Sequence, residues 1–146
     1  MITILYIYVI QTNNMKKNII YIIVIQLLLI SCGPSLFLIQ SQNRTKLNQI
    51  SLGLTKREVL DIMGTTTNKV SNGQNWIYLT SPYKTETMIE NGRNYEILFF
   101  YSDTKKQDGV ISDDELTPIV LLDNKVVGFG WSFMKDNIKK YQIDIR

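Results

Sequence analysis

The chain has 146 residues, 45% hydrophobic and 20% charged, so it holds one domain and is neither a disordered nor a polytopic membrane protein. Its formal charge of +3 is too weak to argue for nucleic acid. With no histidine and one cysteine, the chain cannot form a Ser–His–Asp triad, a Cys–His pair, an internal disulfide or a cysteine-cluster zinc site, and it leans toward a binding or structural role.

The amino end is unlike the rest. From Ile19 to Ile30 every residue is apolar or Tyr except Gln26, with Lys16 and Lys17 before the run and Ser31-Cys32-Gly33 after it. A basic start, a short apolar stretch and a small residue at the boundary predict a secretory signal over residues 1–31. The apolar run is 12 residues long, against the roughly 20 that a membrane-spanning helix needs. Leu29-Ile30-Ser31-Cys32 resembles the lipobox of bacterial lipoproteins. The resemblance implies a diacylglyceryl group on the Cys32 thiol, cleavage between Ser31 and Cys32, and acylation of the new amino group. Two or three acyl chains anchor stably, because each buried methylene adds about 0.8 kcal/mol. Two other readings compete. One is a membrane anchor from Ile19 to Ile39, which Pro34 and the Ser-Cys-Gly cluster oppose; the other is a buried structural Cys32.

Met15-Lys16-Lys17-Asn18 reads as a natural start, which makes residues 1–14 an upstream extension; a longer signal with two apolar stretches is the alternative. Removing residues 1–31 takes away Lys16 and Lys17, so sixteen basic residues become fourteen against thirteen acidic ones. A near-neutral mature chain gives no case for a nucleic-acid partner.

Residues 32–43 read as a lipidated tether and the domain as residues 44–134. Thr45 to Ile50 is a candidate short helix with Leu47 and Ile50 on one face. A second helix is written more fully. Thr55 and Glu58 form a capping box, Leu54 and Val59 can staple across it, Val59, Ile62 and Met63 share a face, and Gly64 stands at a left-handed C-terminal cap.

Strands follow. Asn75 to Thr80 places Trp76 and Tyr78 on one face and Ile77 and Leu79 on the other. Ser81 to Gly92 reads as a polar loop or irregular edge. Tyr95 to Ser102 alternates with two partly apolar faces, the pattern of a central strand. Ile119 to Leu122 and Val126 to Phe133 flank Asp123-Asn124-Lys125, a tight hairpin turn. Residues 135–146 read as a charged tail. The order gives an α+β class: two short N-terminal helices packed on a three- to four-stranded antiparallel sheet, a two-layer sandwich.

The stretch Ile50 to Gly64 resembles the opening motif of the SmpA/OmlA (BamE-like) small outer-membrane lipoproteins, Ile-x-x-Gly-Met-Thr-x-x-x-Val-x-x-x-Leu-Gly, with Leu54 for Met and Met63 for Leu. Trp76-Ile77-Tyr78 is similar to its first-strand signature, and Leu121 to Gly130 to its final hairpin. Thr66 stands where the family often has Pro, a departure from the assembly-factor branch. The resemblance implies the fold shared with β-lactamase-inhibitor-like domains, a lipid anchor in the outer membrane facing the periplasm, and partners in the machinery that inserts β-barrels. It implies no cofactor. The motif residues Gly53, Thr55, Val59 and Gly64 shape a helix and mark no site.

Four segments are candidate sites. Asp108-Gly109-Val110-Ile111-Ser112-Asp113-Asp114-Glu115 resembles half an EF-hand loop, but Thr104 and Lys106 fall where acidic ligands are wanted, so a polar turn without metal is expected. Asp113, Asp114 and Glu115 are adjacent, which does not set carboxylates across a cleft for glycoside hydrolysis. Trp76, Tyr78, Trp131 and Phe133 read as core of a small sheet, the alternative being an exposed contact patch. The expected partner-binding region is the exposed sheet edge and the segment Ser81 to Gly92, with Tyr83 and Met88 as its contact residues. The leading function is therefore a non-catalytic, lipid-anchored envelope protein that binds another envelope protein. The runner-up is a small-ligand sensor or inhibitor domain on the same fold.

Overall fold

The computed structural model describes residues 34–71, 75–90, 92–106, 108 and 110–138. Cys32, the signal segment and residues 139–146 lie outside the described residues. The described chain is α+β. In order it forms helices α1 (Leu36–Leu47) and α2 (Lys56–Met63), strands β1 (Thr67–Ser71), β2 (Trp76–Thr80), β3 (Lys84–Glu90), β4 (Arg93–Tyr101), β5 (Leu116–Leu122) and β6 (Lys125–Phe129), and helix α3 (Gly130–Asn137). β1 and β2 form a two-stranded antiparallel sheet; β3, β4, β5 and β6 form a second antiparallel sheet in that spatial order.

The central strands β4 and β5 are covered on both faces. Ile97, Phe99 and Tyr101 of β4 and Val120 of β5 pack with Val70 and Leu79 of the β1–β2 hairpin and with Met134 and Ile138 at the carboxyl end. Leu98 and Phe100 of β4, Ile119 and Leu121 of β5 and Val126 of β6 pack instead with Ile50, Val59 and Met63. Alternation along β4 therefore feeds two cores, which is why both of its faces are apolar. Packing on two faces replaces the expected two-layer sandwich.

Helix α2 forms as its local signals require. Thr55 caps Glu58 N–H, and the Glu58 carboxylate accepts from Thr55 N–H at 2.8 Å. That backbone bond and the Thr55 hydroxyl, which also donates to the carboxylate at 2.8 Å, hold the Glu58 carboxyl below its ordinary range. Gly64 ends the helix at φ 89°, ψ 162°, a region open essentially to glycine alone and distinct from the left-handed helical cap that was expected. The β5–β6 turn uses Asp123 and Asn124 at φ 49° and 68°, the twist that a two-residue hairpin needs, with Lys125 already in β6.

Four elements differ from the sequence reading. Helix α1 begins at Leu36 behind a Ser35 cap, so residues 36–43 are helical and not tether, and the helix ends at Leu47, within the Thr45 to Ile50 stretch expected to be helical. Its buried residues are Gln40 and Asn43, so it shows no apolar stripe. β1 was not anticipated; only Val70 of its five residues is buried. β3 fills the segment read as a polar loop or irregular edge, and it is a regular edge strand, pairing Lys84 to Glu90 with Phe99 to Arg93. The strand expected to run to Phe133 stops at Phe129, and Gly130 at φ 82° turns the chain into α3. Lys135 to Asn137 of the expected tail belong to that helix.

Candidate functional site

The two edges of the four-stranded sheet are treated differently. Beside β6 runs the α1–α2 connection: Gly53 N–H donates to Val126 O at 2.8 Å, Val126 N–H to Leu54 O at 2.8 Å, and Lys56 N–H to Asn124 O at 3.1 Å. That edge is covered from Asn124 to Val126. β3 pairs with β4 alone, so its other side is an open edge among the described residues. Lys84, Glu86, Met88 and Glu90 share the face of Phe99, Ile97, Tyr95 and Arg93, whereas Thr85, Thr87 and Ile89 share the opposite one. Thr85, Thr87 and Ile89 are exposed, Ile89 at 79%. An edge with charges on one face and β-formers on the other discourages indiscriminate pairing and still offers a ladder to a matched strand.

Lys84 fixes the start of this edge. Its ammonium lies 2.7 Å from Asp113, 3.4 Å from Glu86 and 4.4 Å above the Phe99 ring. Burial disfavours the charge, but Asp113 and Glu86 outweigh it and raise the pKa above the ordinary lysine value.

The loop from Ser102 to Glu115 is organised by a carboxylate. Glu115 is 2% exposed; its Oε1 accepts from Lys105 and Lys106 N–H and its Oε2 from Ser112 N–H. Helix α1 is stitched to the same region by polar side chains. Asn43 donates to Tyr101 O at 2.7 Å, Arg44 to Ser102 O and to the Asp103 carboxylate, each at 2.8 Å, and Gln40 accepts from Thr104. The Lys105 hydrogen bond, the Thr104 backbone and Arg44 hold the Asp103 carboxyl below its usual range. Burial pushes the Tyr101 phenol up, with the Glu115 and Asp103 charges adding to it against the Thr104 hydrogen bond. A shallow groove of about 460 Å³ runs along this network, lined by Arg44, Ser102, Asp103, Asp114 and Trp131 among others. Beneath α1 a smaller cavity of about 50 Å³ is lined by Asn43, Lys46, Tyr101 and Ser81, whose buried hydroxyl has no partner among the described residues. It has room for a water or two.

The expected site residues fall as follows. Tyr83 is exposed at the entry to β3; Met88 is half-buried, packed against the first core and paired with Tyr95. The two are not one patch. Cys32 is outside the described residues. Of the aromatic set, Trp131 and Phe133 do pack on the core, Trp131 donating to Leu116 O at 2.8 Å and tilting against Phe99 at 5.9 Å. Trp76 and Tyr78 do not: they are 53% and 73% exposed, because Leu79 and Val70 are the hairpin residues that turn inward. In the acidic stretch, Glu115 serves backbone amides, Asp113 serves Lys84, and Asp114 accepts from Ser112 Oγ at 2.6 Å. Among the described residues no group of three or more acidic, His or Cys side chains could hold a metal ion. Also among them, no helix is long and apolar enough to cross a membrane.

Residues 38–136, more than half of the chain, match the model of a family described as "Protein of unknown function (DUF3192)". The chain belongs to the DUF3192 family. The match spans nearly every described element, from α1 to α3, so the open edge, the hairpin and the Glu115 loop all lie within the DUF3192 domain. No curated protein and no solved structure gives a significant match.

Two structural features of this DUF3192 domain were only partly legible in the sequence. The Glu115 anchor had a signal in the spacing Ser112-x-x-Glu115, the pattern of a side chain reaching back to an amide three residues before it. The β3 edge had a partial one: Lys84-Thr85-Glu86-Thr87-Met88-Ile89-Glu90 alternates threonine with charge, which reads as a polar loop or irregular edge until a partner strand is known.

Proposed function

We propose that this DUF3192 protein is a lipid-anchored, non-catalytic contact protein of the cell envelope. Acyl chains on Cys32 hold it on the periplasmic face of the outer membrane, and the open edge of β3 receives an extended segment of another envelope protein. The observation that carries the reading is the asymmetry of the sheet: the β6 edge is covered from Asn124 to Val126 by Gly53 to Lys56, while the β3 edge presents Thr85, Thr87 and Ile89 beside exposed Tyr83. The lipobox-like Leu29-Ile30-Ser31-Cys32 supports the anchor. The resemblance of Ile50 to Gly64 to SmpA/OmlA lipoproteins supports a barrel-assembly component as partner and a BamE-like two-helix arrangement. The lack of histidine supports action without turnover.

The runner-up is a small-ligand sensor or inhibitor domain using the groove beside Asp103 and Trp131. Photo-crosslinkers separate the two. Placed at Tyr83, Thr85 or Thr87 in cells, they capture an envelope protein, and a crosslinker at half-buried Met88 captures it poorly. Capture of nothing but this chain at all four positions, with a small molecule retained by the purified protein, would favour the runner-up.

A further inference from the structure

We infer that the outward face of the β1–β2 hairpin, together with the first turn of α1, is seated on the bilayer, with Trp76, Tyr78 and Phe37 in the headgroup region. The inference deepens the proposal above and rests on its acylated Cys32.

Among the described residues the face is aromatic and carries no carboxylate. Its cross-strand pairs are Ser71 with Trp76, Lys69 with Tyr78 and Thr67 with Thr80. The Lys69 ammonium lies 5.5 Å from the centre of the Trp76 ring. The opposite face of the hairpin is occupied by core, through Val70 and Leu79. At the start of α1, Phe37 is 76% and Leu38 46% exposed. Indole and phenol rings, apolar in body and polar at one tip, favour the membrane interface over both water and hydrocarbon.

The fold says which surface this face must meet. Ser35 bridges to Ser71, and Ser71 N–H donates to Pro34 O at 3.3 Å. Ser71 is itself paired with Trp76. The chain arriving from Cys32 is thus stitched to the strand position opposite the indole. Because α1 starts at Leu36, only three residue steps separate Cys32 from Ser35, a reach of at most about 11 Å. Two strand spacings, about 10 Å, lead from Ser35 to Trp76. A domain on so short a leash cannot swing this face far from the membrane that holds its acyl chains.

The test uses the mature chain from Cys32 onward. Its one cysteine allows coupling to a maleimide lipid in phosphatidylcholine vesicles, some brominated near the headgroup end of the acyl chains. Comparison with Trp76→Phe isolates Trp76, and core-packed Trp131 reports the fold. Trp76 emission should fall roughly two-fold in brominated vesicles, as for an interfacial indole, and Trp131 emission should not change. Tyr78→Asp with Phe37→Asp should remove most of the quenching, since both side chains are exposed and their loss leaves the core intact. Vesicle-attached protein with unquenched Trp76 would overturn the inference. So would a Trp76 emission that shifts with protein concentration in lipid-free solution and ignores brominated lipid, which assigns the face to a second copy. The mass of the Cys32 peptide from cells tests the anchor separately: an unmodified cysteine beside a quenched Trp76 overturns the anchor and supports the affinity of the face.

Discussion

Removing the Glu115 carboxylate should unravel the loop that joins β4 to β5. The side chain is 2% exposed and accepts three backbone N–H groups, from Lys105, Lys106 and Ser112, the last two at 3.2 and 3.1 Å. Hydrogen bonds to a charged group are worth about 1.5–3 kcal/mol each, and amides left without a partner lose that and their hydration. Water reaches part of this loop, so Glu115→Ala should cost about 3–5 kcal/mol in total. In a domain of roughly 100 residues, 1 kcal/mol moves Tm by about 4–8 °C, so the variant should melt about 15 °C or more below the wild type. Glu115→Gln keeps the shape but turns an NH₂ toward at least one backbone donor, and should lie about halfway between. Thermal melts followed by circular dichroism read both. An alanine variant within about 4 °C of the wild type would show that the carboxylate is not the organising anchor. Because both oxygens already serve amides, calcium at about 1 mM, the weak end for extracellular modules, should leave the wild-type melt unmoved.

A Cβ on Gly128 would run into the Phe133 ring, so Gly128→Ala should cost about 1–3 kcal/mol by overpacking. In denaturant melts that cost should shrink when Phe133 is first changed to Ala, and equal costs in both backgrounds would mean that the ring does not press on Gly128. The depressed Asp103 carboxyl contributes stability that is full above the ordinary carboxylate range and is lost as pH falls through its folded value. The drop in Tm between pH 7 and pH 3 should therefore be smaller in Asp103→Asn than in the wild type; an equal drop would show that the ion pairs with Arg44 and Lys105 do not matter to folding.

How much of this was legible follows from where each segment's information is stored. Helix α2 carries its own caps and apolar face, so Thr55, Glu58, Val59 and Met63 announce it locally. β4 and the β5–β6 turn are similarly self-describing. Helix α1 is not, because its buried face is Gln40 and Asn43, and a helix held by hydrogen bonds to Tyr101 O and Thr104 has no apolar period to read. Ser35 after Pro34 was its one local mark. Gly130-Trp131-Ser132-Phe133 alternates like a strand, and only the positive φ at Gly130 turns it into α3. The hairpin shows a subtler limit. Alternation in β2 separates Trp76 and Tyr78 from Ile77 and Leu79, yet with both sets apolar it cannot say which faces inward. The packing of both Leu79 and Val70 into the first core decides it. The aromatic face and the open edge of β3 are properties of assembly, which is why the surface was harder to read than the core.

The account depends most on the chemistry of one atom, the Cys32 sulfur. Cells grown with an alkyne-bearing fatty acid should yield a labelled protein that stays with the membrane fraction. Cys32→Ala should abolish the label and, since each lost acyl methylene removes about 0.8 kcal/mol of membrane affinity, release the chain or leave its signal uncleaved. Equal labelling of the two proteins, or a wild type that is soluble and unlabelled, would contradict the account.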